Sequence, residues 1–281
     1  MKKILVPSDF SVNSKSGVRF AIRWAIQQKL ELVFIHVLHI LRPTRWTDTY
    51  FAKYAEEEEK FCRTKFEKFI GGIYRNMNAN AGKHSFVIIQ GISADTSMLD
   101  YCRNNHDIEY ICMCTRGAGK FNKILGTNTG NLITKSQVPV IAIPKAYKVA
   151  QIKTVLYASD FHNYSEELNK VVCFALPLKA KIEVLHFTWP DEIILDEKTI
   201  EAAFKNRYKY GLKIHYEKND GSLSIVQHIQ KQIKICKPSV VIMFTNQDRT
   251  FFQKLFLSSK AEELSFQLKV PLLVFNKRQT K

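Results

Sequence analysis

No apolar run in this 281-residue sequence approaches the roughly 20 residues that a membrane-spanning helix needs. The opening MKK is followed only by Ile4-Leu5-Val6-Pro7 before Ser8 and Asp9. The apolar centre of a secretory signal is therefore lacking, and the expected location is the cytoplasm, away from any membrane. A metal-binding or redox cysteine framework is missing too. The six cysteines are scattered, and Cys112 and Cys114 are separated by one residue rather than two, which fits neither a CxxC pair nor a zinc ribbon. Reduced, mostly buried thiols are expected. There is no helix-turn-helix or RNP-type strand, so nucleic acid is not an expected partner. There is no G-x-S-x-G elbow.

What is present is ordinary for a globular chain except in charge. Hydrophobic residues make up 46% and charged residues 24%, and the length suits two units of about 140 residues, each able to bury a core. The net charge is +16. Residues 1–150 hold 22 Lys and Arg against 12 Asp and Glu, and the remainder 20 against 14. Both halves are thus basic, which favours anionic ligands in general.

The sequence repeats itself. Ile4-Leu5-Val6-Pro7-Ser8-Asp9-Phe10 aligns with Val155-Leu156-Tyr157-Ala158-Ser159-Asp160-Phe161. Further on, ELVFIHVLH answers KIEVLHFTW, with His36 and His186 in matching places, and VPVIAIPK at 138–145 pairs with VPLLVFNK at 270–277. Three ordered matches mark a tandem duplication, with domains expected at 1–145 and 152–277. In the first copy, KILVPS, LVFIHVL, SFVIIQ, YICMCT and PVIAIP read as buried strands, and helical spacing covers 14–28, 47–77 and about 94–104. Apolar strands alternating with helices predict an α/β fold, in which a parallel sheet is covered on both faces and ligands bind beyond the strands' carboxyl ends.

At one such end lies CTRGAGKFNKILGTNTGN, residues 114–131, with four of the eleven glycines. A helix entered through Gly126-Thr127-Asn128 offers free backbone N–H groups and a positive dipole end, and Arg116, Lys120 and Lys123 add full charges, so an anion such as phosphate suits the loop. Neither the P-loop nor the dinucleotide fingerprint is met, since Phe121 follows Lys120 and Asn122 stands where a third glycine is required.

ILVPSDFS, the glycine loop, the following NTGN and the closing VPV strand resemble the universal stress protein family, and the duplication resembles its tandem members. The resemblance implies two doubly wound, five-stranded parallel-sheet domains of the adenine nucleotide alpha hydrolase-like type. It also implies a stress-response regulator holding ATP, with or without magnesium, in the first copy. By that resemblance Pro7, Ser8 and Asp9 lie beside the adenosine, Val37 lines the adenine pocket, and Gly117, Gly126, Thr127 and Asn128 hold the phosphates. Cys114 stands where the family motif has its first glycine, and eight residues rather than nine separate Gly117 from Gly126.

In the second copy the matching segment, 244–264, has no glycine and carries Phe251 and Phe252, so it is read as a structural partner without a nucleotide. His36 and His39 are expected on opposite faces of a strand and not as joint metal ligands. Asp9 is the only nameable carboxylate near the site, so ATP turnover is expected to be slow or absent. A scaffold that binds no nucleotide and acts through its paired domains and basic surface remains the alternative. Pro139 and Pro271 begin the two closing strands, which suits sheet edges. The two copies are expected to pair through 138–144 and 270–276 as an internal pseudo-dimer, with pairing of whole chains left open.

Overall fold

Ile4, Leu5 and Val6 are wholly buried in the first strand, β1 (Lys3–Pro7), because a run apolar on both faces needs a sheet covered on both sides. The computed structural model describes residues 2–115, 127–145, 147–148, 150–159, 164–188, 196–218, 225–245 and 270–276. After β1 come α1 (Ser14–Gln28), β2 (Glu31–Leu38), α2 (Asp48–Asn76), β3 (His84–Gln90), α3 (Ala94–Asn104), β4 (Ile108–Cys114), α4 (Thr127–Lys135) and β5 (Val140–Ile143). The pattern then recurs as β6 (Thr154–Ser159), α5 (Tyr164–Ala175), β7 (Lys181–Thr188), α6 (Glu197–Tyr208), β8 (Leu212–Lys218), α7 (Ile225–Cys236), β9 (Val240–Thr245) and β10 (Leu272–Asn276). This is the expected α/β architecture. The long helix α2 starts at a Thr47 cap, whose side chain accepts from the Tyr50 N–H. Glu56 and Glu59 on it pair with Lys60 and Arg63 one turn on, as a solvated face does.

The ten strands of the described residues form one sheet in the order β3-β2-β1-β4-β5-β10-β9-β6-β7-β8. Each half therefore has the same internal order, mirrored about β5 and β10. That pair is antiparallel, with Ile141 opposite Leu273, whereas the neighbours within each half are parallel. Pro139 and Pro271 precede their strands by one residue, and each contributes only its carbonyl to the ladder, accepting from Ile111 and Val241. The missing proline N–H thus costs no bond.

The repeat holds in detail. Lys29 and Lys179 both take left-handed φ, 55° and 52°, and the next residues, Leu30 and Ala180, donate to Ala25 and Ala175. One face of the sheet packs Val6, Phe34 and Tyr157 against Phe20, Trp24, Phe66, Phe174 and Phe204 from α1, α2, α5 and α6. The other packs Leu5, Val33, Ile35 and Leu156 against Met98, Leu132 and Ile229 from α3, α4 and α7. The first layer runs unbroken across both halves. Trp24 lies 5.5 Å from the Phe174 ring, and the Gln27 amide both donates to the Ile152 carbonyl and accepts from its N–H, at 2.9 and 3.0 Å.

Among the described residues no helix is long and apolar enough to cross a membrane. All six cysteines are free. Cys62, Cys102, Cys112 and Cys114 are buried, but Cys173 is exposed and Cys236 half-buried.

Candidate functional site

The carboxyl end of β1 leads into a turn rich in serine, and the hydrogen bonds of those serines define its shape. The Ser8 N–H donates to the Ile35 carbonyl, 3.0 Å, extending the β1–β2 ladder by one residue. The Phe10 N–H then donates to Ser8 Oγ, the Ser11 N–H to Asp9 Oδ1 and the Ser14 N–H to Ser11 Oγ, at 3.2, 3.0 and 3.2 Å. Each is a short polar side chain closing a local loop, the reason Ser and Asp favour turns. Phe10 pays for this geometry with φ of 59°, a conformation that costs a bulky residue about 1–3 kcal/mol. Its ring recovers contact by stacking on His36 at 4.4 Å and meeting Phe66 edge-on.

His36 holds the turn from the second strand. Its Nδ1–H donates to the Ser8 carbonyl, 2.7 Å. Burial pushes the imidazole below its ordinary value and the Lys65 ammonium adds to this, against the Ser8 carbonyl and Asp9, which favour the charged form. His39, by contrast, is exposed and meets the Gly91 carbonyl at 3.3 Å, so the two histidines have separate partners.

β4 ends beside this turn. Its last residue, Cys114, is buried, and Ser16 Oγ donates to its Sγ at 3.2 Å. A methyl group added at Gly17 would stand 2.9 Å from the Cys114 nitrogen and 3.1 Å from the Met113 carbonyl carbon, so α1 packs on the backbone of β4 with no room for a side chain. Thr129 Oγ1 donates to the Cys114 carbonyl at 3.1 Å, tying the first turn of α4 over the end of β4. Asn131 Nδ2 donates to Asp95 Oδ2 at 2.7 Å, and the Ser93 hydroxyl donates to the other Asp95 oxygen. Burial works to raise the Asp95 carboxyl, but the bonds from Ser93, Asn131 and the local amides outweigh it and hold the group below its ordinary range.

Of the expected site residues, Pro7 ends β1, Ser8 is buried and Asp9 is exposed beside it. Val37 lies on β2 on the sheet face covered by α3 and α4. Thr127 opens α4 and Asn128 is exposed in its first turn. Arg116, Gly117 and Gly126, like Lys120 and Lys123, lie outside the described residues. So do Asp160, Phe251 and Phe252 of the second copy. The turn meets β2 through His36, Ser16 just after it meets the end of β4, and Thr129 ties the first turn of α4 to that same end. The first-turn amides of α4, like those of any helix, lack intrahelical partners.

The second half is filled in differently at the same places. Counted back from Ala25 and Ala175, whose carbonyls accept equivalent bonds, the counterpart of Gly17 is Glu167. Glu167 is 3% exposed and accepts from the Tyr157 hydroxyl. The β9 counterpart of Cys114 is Phe244, whose ring stacks on Phe275 at 5.1 Å. Sequence reasoning missed His36, Gly17, Asp95, Thr129 and Asn131. Signals were nonetheless there: His36 matches His186 between the copies, Thr129 and Asn131 stand in NTGN, and Gly17 is a glycine inside an otherwise regular helical pattern, which points to a close approach.

Two groups at this site set the response to acid. His36 is lowered from 6.5, so on acidification the unfolded chain takes up its proton first, and stability falls as pH drops below that value. Asp95 is lowered from 3.8; its contribution is present above that pH and is lost as pH falls through the depressed value. Urea unfolding between about pH 7 and about pH 5 should therefore show declining stability. His36→Phe, which keeps a ring against Phe10, should flatten the slope. An equal slope in both proteins would remove His36 from the account.

The model of the universal stress protein family matches residues 1–144. No curated protein gives a significant match to the chain. Among solved structures, a universal stress protein from Archaeoglobus fulgidus DSM 4304 covers 99% of this chain and 97% of its own, with a TM-score of 0.71 at 18% identity. A putative universal stress protein from Pseudomonas aeruginosa UCBPP-PA14 covers 98% and 93%, with a TM-score of 0.57 at 14% identity. A functionally unknown protein from Pseudomonas aeruginosa PAO1 covers 98% and 92%, again with 0.57 and 14%. At these identities the likeness is one of fold.

Proposed function

Since the chain belongs to the universal stress protein family, we propose that its first half binds an adenine nucleotide, ATP foremost, with or without magnesium, and that occupancy makes the protein a regulator of a stress response in the cytoplasm. The observation that carries this reading is the junction at Cys114. There α1 meets the β4 backbone at Gly17 and Thr129 draws the start of α4 to the same carbonyl. An anion at the start of α4 would meet first-turn amides and the helix dipole, with Ser8 and Asp9 one strand away for the nucleoside. Gly117, Gly126, Thr127 and Asn128 are assigned to the phosphates, with Arg116 beside them, and Pro7, Ser8, Asp9 and Val37 to the adenosine. Cys114 contributes its carbonyl to Thr129, while its thiol is engaged by Ser16.

Residues 1–145 form the nucleotide-binding domain in this reading, and 152–277 a partner domain, where Glu167 and Phe244 stand in place of Gly17 and Cys114. The two associate as an internal pair through β5 and β10, supported by their antiparallel register. Hydrolysis is slow or absent, because Asp95 is engaged by Ser93 and Asn131 and Asp9 Oδ1 accepts from the Ser11 N–H.

Calorimetry of the full chain with ATP and magnesium tests the reading. About one site per chain is expected, and Gly126→Val should abolish the heat of binding while the thermal unfolding profile stays unchanged, because a branched side chain blocks approach to backbone N–H groups. Two equal sites, or undiminished binding in the variant, would overturn the assignment. Absence of heat with any adenine nucleotide would leave the basic, paired scaffold as the function.

A further inference from the structure

The two halves can be compared position by position through their strand registers. Leu5 stands opposite Val33, and its repeat counterpart Leu156 stands opposite Glu183. Likewise Ile35 stands opposite Val87, whereas Leu185 stands opposite His215. The first half thus has two valines in the apolar layer beneath α3, and the second half has a carboxylate and an imidazole in the matching places beneath α7. Polar groups at such positions carry a desolvation cost that needs a partner.

Glu183 and His215 meet each other and a third group. His215 Nε2 lies 2.6 Å from Glu183 Oε2 and 3.7 Å from Cys236 Sγ, the last residue of α7. The three ligand atoms lie within 4.8 Å of one another, and all three residues are half-buried. Gln232, 2% exposed, donates its amide to Cys236 Sγ at 3.0 Å. Burial and the Glu183 charge push the Cys236 thiol up, while Gln232 and Lys213 favour the thiolate. A nucleophile relay is excluded by the geometry, because it needs the thiol and the carboxylate on opposite ring nitrogens, and here both converge on Nε2.

Convergence of sulfur, nitrogen and oxygen on one point is what a shared cation requires. The geometry points to a divalent transition-metal site, zinc by its ligand chemistry, formed by Glu183, His215 and Cys236. Tetrahedral zinc, with bonds of about 2.0–2.3 Å, holds its ligand atoms about 3.4 Å apart. The 3.7 Å between Nε2 and Sγ is already near that span, and the carboxylate needs to move outward by less than an ångström. On binding, the Cys236 thiol releases its proton to solvent and the Nε2 proton that His215 holds against Glu183 is lost to solvent as well, while Nδ1 carries the imidazole's remaining proton, leaving the Nε2 lone pair for the metal. A thiolate and an imidazole select zinc or cobalt over magnesium and calcium. Three protein ligands leave the fourth position to solvent, as in zinc sites that bind or activate a small molecule.

The experiment uses the untagged full chain, stripped with a chelator and titrated with zinc against a chromophoric competitor, and separately with cobalt(II). One equivalent of tight zinc is expected, with a thiolate-to-cobalt absorption band. Cys236→Ser should abolish the band and weaken zinc by at least about 100-fold, since it removes a direct ligand where even an outer-shell change costs 10- to 100-fold. The double variant Glu183→Val, His215→Val restores the side chains of the first half, so it should fold with undiminished thermal stability and bind no tight zinc. The inference is overturned by the lack of a tight equivalent in the parent chain, by a cobalt spectrum without the thiolate band, or by tight zinc that persists in either variant.

Discussion

Trp24→Ala should lower the unfolding free energy by about 3–5 kcal/mol, the range for deleting a large buried aromatic. The indole is 1% exposed and is enclosed by Phe20, Tyr110 and Phe174, with ring centroids at 6.0, 4.8 and 5.5 Å. Phe174 belongs to the other half of the chain, so the cavity opens at the seam. Urea unfolding followed by both fluorescence and circular dichroism should show one transition in the parent chain and two separated ones in the variant. A single, unshifted transition in Trp24→Ala would refute the idea that this ring couples the halves. Trp24→Phe is the informative contrast. The indole N–H is buried with no hydrogen-bond partner among the described residues, and removing an unsatisfied donor offsets part of the lost packing. Its expected cost is clearly below that of Trp24→Ala, because a ring remains to fill most of the space.

Gly17→Val should disable the first half more selectively. The added atoms would meet the backbone of Met113 and Cys114, and backbone inside a sheet cannot rotate aside as a side chain can. Overpacking of this kind costs about 1–3 kcal/mol and sometimes more. Relief requires α1 to lift from β4, breaking the Ser16–Cys114 contact and displacing the Ser8–Asp9 turn that precedes the helix. Loss of ATP binding should therefore exceed the loss of stability, read as calorimetric affinity against the urea midpoint. Gly130→Ala in α4 is the control. A methyl group there meets nothing within 4 Å, so the exchange should stabilise by about 0.5–1 kcal/mol. If Gly17→Val retained full affinity, the close packing at Cys114 would have no bearing on the site.

The five strands of the first half were legible because each is an apolar run, and α1 was legible from its periodicity; β8, LKIHYEK, is no such run. The tandem duplication was legible from ordered matches in the sequence. The closing strands' prolines and apolar edges pointed to pairing of the copies there, but nothing in the sequence puts Trp24 beside Phe174, 150 positions further on. The same limit hid the site's supports. Thr129 and Asn131 follow a glycine-marked loop, but that they would reach Cys114 and Asp95 depends on how α4 sits on the sheet. Glu183, His215 and Cys236 are separated by 32 and 21 residues, and the register of β7 and β8 together with the seating of the end of α7 makes them neighbours. What sequence periodicity encodes is the face a residue takes on its own element, not which residue of another element it meets.

Because β5 and β10 lie on one polypeptide, their union is unimolecular. A tether of this kind holds the partners at an effective concentration of millimolar order, so dilution, which separates independent subunits by mass action, leaves this seam intact. It also breaks an evolutionary constraint. In a symmetric dimer every substitution appears twice, once in each subunit, and a charged residue tolerable in one place must be tolerable in both. Here Val33 and Glu183 occupy matching positions, so one copy is free to keep its apolar layer while the other takes up polar chemistry in the same place.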